Sequence, residues 1–380
     1  MCSSSVDVRS ERVVPLPMPR ARQWTFPSVA RIVVHAVLIV GAFLSLFPFL
    51  YMLLSSLKTL YEATAFPPTL IPKKWMWSNY TEAWNAVPFG PVVKVGGIKK
   101  LRVDFWWLVR VVVNYLAAWV VVSWLWQRVD YLRRNTRVTI GILFVTTLPA
   151  TVALLLKIAE FVSLMGQRGQ FIPGYFLNTI FVALIAVPTV LITSILAAYA
   201  FARMDFFGKN VLFIVFLSTM MIPFEAILIP DFIIVTRTFG WYNTFKALII
   251  PFTVSAFNIF LLRQFFMTIP KDYYDAALLD GAGHLGFLRY VVIPLSQAPL
   301  AVVALFTFLG TWNSFQWPLI VADQARHMIQ VGMSGFRTEG GSDVQLIMAA
   351  ATFTILPVVI LYFFTQRTFI ESVASTGLKG

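Results

Sequence analysis

Ionisable and redox-active side chains are scarce in this chain: of 380 residues only 12% are charged, three are histidine and one, Cys2, is cysteine. A lone cysteine excludes an intrachain disulfide. Cys2 also lies in a polar tail with no apolar segment before it to act as a lipoprotein signal, so it is assigned no role. No G-x-x-x-x-G-K-[ST] occurs, which removes the usual backbone cradle for nucleotide phosphates. Neither a clear internal repeat nor a clear set of charges at the middle of the apolar runs is present, against the pattern of an ion-coupled secondary transporter. No segment of useful size has the composition of a soluble domain.

Apolar residues fill the space that charge leaves. The chain is 58% hydrophobic, and a mean hydropathy of +0.77 places it among polytopic membrane proteins. A net charge of +13 suits Lys and Arg placed beside spans and anionic lipid better than nucleic acid. Residues 1–31 are polar and basic without a signal-like apolar core, and are expected to be a cytoplasmic, mostly disordered tail. Ile32–Leu57 is long enough to cross about 30 Å of hydrocarbon at about 1.5 Å per residue. His35, near its inner end, reads as a neutral or interfacial side chain. Lys58 to about Asp104 reads as an outer loop lying against the membrane. Tyr175–Arg203 then crosses inward, with Arg203 and Lys209 marking the inner side, and Val211–Thr236 returns outward with kinks expected at Pro223 and Pro230. Ala247–Phe266, Leu300–Ala322 and Val344–Phe369 complete the core.

Two further apolar runs, Phe105–Trp126 and Val138–Val162, flank QRVDYLRRNTR. Four arginines against Asp130 put that turn on the cytoplasmic side and make the pair a membrane hairpin that leaves the topology downstream unchanged. Lys94, Lys99, Lys100 and Arg102 then lie outside, against the same rule. Asn114 is expected to bond a neighbouring helix, Arg110 to snorkel, and Lys157 to pair with Glu160 one turn on.

One polar stretch interrupts the second half: DYYDAALLDGAGHLGFLRYVVIPLSQAP, Asp272–Pro299. Its spacing predicts two short helices joined at a glycine, with Asp272 as cap, Asp275 one turn in, Gly281 at the C-terminal glycine position and Pro294 ending the second helix. Ala276 and Ala277 give a low-profile face on which another backbone can settle, the mark of a docking element.

That segment resembles the EAA loop of ABC-importer permeases, with Asp275 in place of the usual Glu. YFLNTIFVAL, AAYAFARMDFFGKN, FLGTWNSFQWPLIV and the terminal GLKG extend the likeness to MalG-like permease subunits of carbohydrate ABC importers, over roughly residues 30–90 and 174–380. The resemblance implies an all-α polytopic membrane bundle: a six-span permease core with a hairpin, residues 90–173, inserted in the first outer loop, for about eight spans. The organisation expected is a tail over 1–31, first span and outer loop over 32–89, the hairpin, a core over 174–369 containing the 272–299 loop, and a cytoplasmic C-terminal tail over 370–380.

It also implies that Asp275, Ala276, Ala277, Asp280, Gly281, Ala282 and Pro294 engage a separate ATPase subunit, whose closure turns the cavity from inward-facing to outward-facing. The loop around Met328–Ser342, with Gly332, Gly335, Gly340 and Gly341, reaches an extracytoplasmic sugar-binding protein. A MalF-like second permease completes the pathway, and the C-terminal tail lies along the ATPase dimer. Trp312, Asn313, Phe315, Gln316, Trp317 and Glu225 are candidate sugar-path residues, since sugars bind through ring stacking and hydrogen bonds. Packing and interfacial roles are an equal reading of the five from Trp312 to Trp317, and a cavity-wall position is the alternative for Glu225. No catalytic residue, cofactor or metal is expected. An ion-coupled transporter and a non-transporting membrane scaffold are the alternative functions.

Overall fold

The computed structural model describes residues 28–90, 92–95, 98–102, 104–128, 151, 156–157, 170–172, 174–338 and 341–377. Expectations for the N-terminal tail, Cys2, most of the second hairpin arm, Glu160, Gly340 and residues 378–380 lie outside that set. The chain divides into two units, residues 1–50 and 51–380.

The described residues of the first unit form the start of helix α1 (Ser28–Ser55), whose side chains from Ile32 to Leu46 are exposed on every side. An all-round apolar helix suits hydrocarbon, since every backbone group is bonded within the helix.

The second unit is built around α5 (Gly174–Arg203). Its 30 residues span about 45 Å at 1.5 Å each. Chain order before it is α2 (Leu60–Thr64), α3 (Ser78–Ala86), strands β1 (Val92–Val95) and β2 (Ile98–Arg102), α4 (Phe105–Arg128) and β3 (Gln170–Ile172). After it come α6 (Lys209–Ser218), α7 (Phe224–Ile233), α8 (Phe245–Ile249), α9 (Ala256–Thr268), α10 (Asp272–Leu279), α11 (His284–Phe287) and α12 (Gln297–Trp312). The last are α13 (Gln316–Val321), α14 (Ile329–Ser334), strands β4 (Arg337–Thr338) and β5 (Gly341–Ser342), and α15 (Val344–Gly377). The architecture is a helical membrane bundle; its strands are short, a three-stranded sheet in the order β2–β1–β3 and the pair β4–β5.

Among the described residues four helices are long and apolar enough to cross a membrane: α1, α4, α5 and α15. Three more candidates are helix pairs bent at a break, 209–221 with 224–238 at 99°, 245–252 with 256–268 at 40°, and 284–295 with 297–312 at 82°. The first corrects the expectation of a kinked 211–236 span. Pro223 lies in extended conformation (φ −65°, ψ 141°) and separates two half-helices, whereas Pro230 sits inside α7. The proline ring forbids a donor at 223 and biases Ile222 to extended backbone, here ψ 115°, so the break falls at that pair.

Aromatic packing fixes both ends of α5. At its start Tyr175 joins Tyr80, Trp84, Phe89, Phe105, Trp312 and Phe353 in one buried cluster, with Phe89 and Phe353 ring centroids 5.1 Å apart in a T. Such rings each remove roughly 150–250 Å² from contact with solvent and dominate local stability. At its end Tyr199 joins Leu262, Phe266, Phe287 and Val292. Arg203 donates to the carbonyls of Phe266 (2.7 Å) and Ile269, tying the ends of α5 and α9 together. Arg263 donates to Phe201 O at 3.2 Å and lies 4.1 Å over the Phe213 ring.

The two ends of the 91–173 segment meet. Tyr175 N donates to Pro88 O (2.9 Å) and Phe176 N to Phe89 O (3.1 Å). A Cβ on Gly174, whose φ is +81°, would stand 2.5 Å from the carbonyl carbon and oxygen of Gly90. Between them, β3 runs antiparallel to β1, with Val92 opposite Ile172 and Lys94 opposite Gln170. Above this neck Phe105 of α4 stacks on Tyr80 at 5.5 Å, and Tyr115 shares a 2.9 Å hydroxyl hydrogen bond with Thr151 of the returning arm. Arg110 donates to Trp106 O within its own helix, and Asn114 Oδ1 is buried without a partner.

Candidate functional site

Two regions carry the candidate residues. The first is the 272–299 loop. Lys271, not Asp272, is the N-cap of α10, and it makes no side-chain cap bond. Asp272 and Asp275 both fall in the first turn, where carboxylates favour the free N–H groups. Gly281 has φ +79°. Around it Gly281 N donates to Leu278 O (3.0 Å) and Ala282 N to Ala277 O (2.8 Å), the paired bonds of a glycine-terminated helix.

The two alanines divide the labour. Ala277 is buried against Tyr199, Phe266 and Phe287, and Ala282 packs on the same cluster. Asp275, Ala276, Asp280 and Gly281 are exposed, alongside Leu279 at 90% and Leu285 at 75%. The low-profile outward surface is therefore Ala276 with Leu279 and Leu285, and Ala277 anchors it from behind.

His284, opening α11, binds the loop to α5: its Nδ1 lies 3.0 Å from Tyr199 Oη, and its ring lies 3.3 Å from Tyr274 Oη of α10. Pro294 does not end the second helix but sits in a last turn, Ile293–Leu295. Its missing N–H widens the preceding turn to the π-form over Leu288–Val292. The buried Ser296 hydroxyl donates to Val292 O at 2.6 Å, and the chain then bends by 82° into α12.

The second region is a cavity of about 770 Å³ beside the middle of α5, within the span of small-molecule sites. Val182, Ala186 and Val190 supply its α5 wall. Ser255, Asn258, Thr307, Asn313, Ser314 and Gln316 supply neutral polar groups, while Phe252, Phe257, Phe306 and Trp317 supply rings. Helix breaks put them there: Ser255 N-caps α9, accepting from Asn258 N at 3.3 Å. Asn313–Phe315 link α12 to α13. Asn258 Nδ2 donates to Thr307 Oγ1 at 3.3 Å and Gln330 Nε2 to Asn313 Oδ1 at 3.3 Å.

Of the six residues singled out in sequence, Asn313, Phe315, Gln316 and Trp317 line this cavity. Trp312 does not: it is buried, donates to Thr354 O at 3.2 Å and stacks on Phe308. Glu225 is exposed in the first turn of α7, and its neighbour Phe224, about 100° round the helix, lines the wall instead.

The 323–343 segment also differs from a free outer loop. Asn178 of α5 donates to the carbonyls of Ala325 (3.0 Å) and His327 (3.1 Å), and Thr179 Oγ1 accepts from Ile329 N (2.9 Å). Tyr242 donates to Asp323 Oδ1 at 2.8 Å, and Asn243 to its Oδ2 at 3.1 Å. The Asp323 carboxylate holds the Tyr242 hydroxyl proton and so raises its pKa. Gly332 is a packing glycine, since a Cβ there would meet Tyr175 Cδ2 at 2.5 Å and Phe89 Cε1 at 2.9 Å. Gly335 is exposed, and Gly341 lies in β5 opposite Thr338.

Residues 190–374 match the family described as binding-protein-dependent transport system inner membrane component. The chain is 33% identical over 207 residues to an arabinooligosaccharides transport system permease, AraQ, of Halalkalibacterium halodurans, spanning 54% of this chain and 74% of that one. It is 33% identical to the diacetylchitobiose uptake system permease NgcG of Streptomyces coelicolor, over 53% and 68% of the two chains. It is 34% identical to the sn-glycerol-3-phosphate transport system permease UgpE of Yersinia pestis, over 53% and 73%. Among solved structures, a chain of a bacterial ABC transporter involved in import of the acidic polysaccharide alginate superposes with a TM-score of 0.59 at 22% identity. That match covers 90% of this chain and 99% of that one.

Proposed function

The chain belongs to the family of binding-protein-dependent transport system inner membrane components, and from that premise we propose which cargo it moves and through which residues. It is a multi-pass membrane permease subunit of an ATP-driven ABC importer, not an enzyme; ATP hydrolysis belongs to a separate subunit. Its cargo is a sugar or oligosaccharide, delivered by an extracytoplasmic binding protein and passed through a pathway shared with a second, MalF-like permease. Both termini are cytoplasmic, and the 272–299 loop faces the ATPase.

The observation that carries this reading is the two-sided build of that loop. One edge, Ala277 with Tyr274 and Phe287, is seated on the end of α5. The other, Asp275, Ala276 and Leu279, is uncovered. An ATPase gripping the uncovered edge pulls directly on α5, whose middle forms the cavity wall. Contact with the binding protein is assigned to the β4–β5 hairpin and the exposed Gly335 rather than to the buried Gly332. The test is purification from detergent of the complex carrying wild-type chain or Gly281→Asp. An ATPase and a second permease are expected with the wild type. Binding protein plus sugar should stimulate ATP hydrolysis, and the variant should lose the ATPase or the stimulation. A folded chain that recovers no ATPase overturns the proposed docking.

A further inference from the structure

We propose that this subunit's cavity selects uncharged saccharides and rejects anionic ones such as sugar phosphates and uronates; the inference deepens the carbohydrate reading and rests on it. Relatives of similar identity are named for neutral cargo, arabinooligosaccharides, and for anionic cargo, sn-glycerol-3-phosphate, so relationship alone does not choose.

The lining does. Among its described residues there is no Asp, Glu, Lys, Arg or His. Apart from the Trp317 indole, whose N–H is given to Ala247 O, every polar side chain is a hydroxyl or a carboxamide. These both donate and accept, as sugar hydroxyls do, so a neutral sugar exchanges its water bonds one for one. The rings of Phe252, Phe257 and Trp317 offer apolar faces to the C–H side of a pyranose.

A phosphate or carboxylate entering the same space sheds its hydration and finds no counter-charge on this subunit's described lining, a loss that hydrogen bonds from its neutral groups do not offset. The opposing effects are the short first turns of α7 and α13, which reach the lining at Phe224 and Gln316 without a side-chain cap, and the N-terminus of the longer α9, since helix dipoles attract anions there. Ser255 already caps α9 by accepting from Asn258 N, and Asn258 is turned to Thr307. Glu225, the acid nearest in sequence to the wall residue Phe224, is exposed outside the lining and adds no positive charge.

The experiment uses the complete importer, purified through this chain in lipid nanodiscs without binding protein. Quenching of tryptophan fluorescence, a readout of binding that needs no binding protein, is measured with arabinotriose, N,N′-diacetylchitobiose, sn-glycerol 3-phosphate and an alginate tetrasaccharide. At least one neutral saccharide is expected to act, with the anionic ones roughly 100-fold weaker. Gln316→Arg, at an exposed lining position, is expected to strengthen anionic binding by about tenfold and weaken neutral binding. Anionic saccharides binding the wild type as tightly as neutral ones overturn the inference and leave the carbohydrate reading standing. No response to any saccharide, with the ATPase present and active, overturns the carbohydrate reading and the inference with it.

Discussion

Gly281 turns through the left-handed region with nothing within 4 Å of where a Cβ would stand. Its requirement is therefore backbone conformation rather than space, and substitutions should rank by tolerance of that conformation. Gly281→Asn is expected to cost less than Gly281→Ala, which costs about 1–2 kcal/mol, and Gly281→Val more than either. Thermal denaturation of the complex orders them; equal effects for all three refute a conformational role. Gly332 is the converse case, with ordinary φ and no room. Gly332→Ala must displace Tyr175 or Phe89 and should cost about 1–3 kcal/mol, seen as a lowered Tm. An unchanged Tm refutes the packing role. The two glycines look alike in sequence. Gly281 was legible because a C-terminal glycine follows a run of helix formers at a fixed offset. Gly332 was not, because a Gly-rich loop carries no sign of what it packs against.

Among the elements, α5 is the bar that joins loop to cavity. Its C-terminal end holds the 272–299 loop through Tyr199, His284 and Tyr274, and its middle walls the cavity. His284→Ala combined with Tyr274→Phe should leave the ATPase bound and its basal hydrolysis within about twofold, while stimulation by binding protein and sugar falls at least fivefold. Stimulation at the wild-type level would show that coupling runs elsewhere. The bounds of α5 were read to within a residue because a long apolar run with Arg203 at its end has one reading. The broken helices were not. A proline predicts a kink or a break equally well, and the 99° turn at Pro223 depends on the packing of both halves. For the same reason Ser255, Asn258 and Thr307 escaped notice. Each is a lone neutral polar residue in a different segment, and only the folded breaks bring them together.

For the whole molecule, we propose that residues 91–173 are an insertion that the rest of the chain can fold without. Joining Gly90 directly to Gly174 removes residues 91–173 between atoms already in contact, so the excised chain should fold, enter the membrane and assemble with its ATPase. Because Phe105 belongs to the Tyr80, Trp84 and Phe353 cluster, a loss of several °C in Tm should accompany the excision, on the scale of deleting one large core ring, about 3–5 kcal/mol. Failure of both assembly and transport at normal expression would make the hairpin an integral part of the core. That residues 90 and 174 are neighbours was legible because the flanking motifs read through when joined; the strand pairing beside them was not, since β1 and β3 are short.

The meeting of Gly90 with Gly174 also has a consequence for biosynthesis. Trp84 and Phe89 leave the ribosome well before Tyr175 and Phe353, the rings that cover them. At about 5–20 residues per second, the hairpin alone delays Tyr175 by on the order of 4–16 s. During that interval the nascent chain presents an uncovered aromatic surface beside the bilayer, and β1 is paired with β2 alone, its β3 side still open. Until Tyr175 arrives, Phe105 is the one later ring of that cluster already made, so the cluster closes in two stages separated by the length of the 106–174 segment.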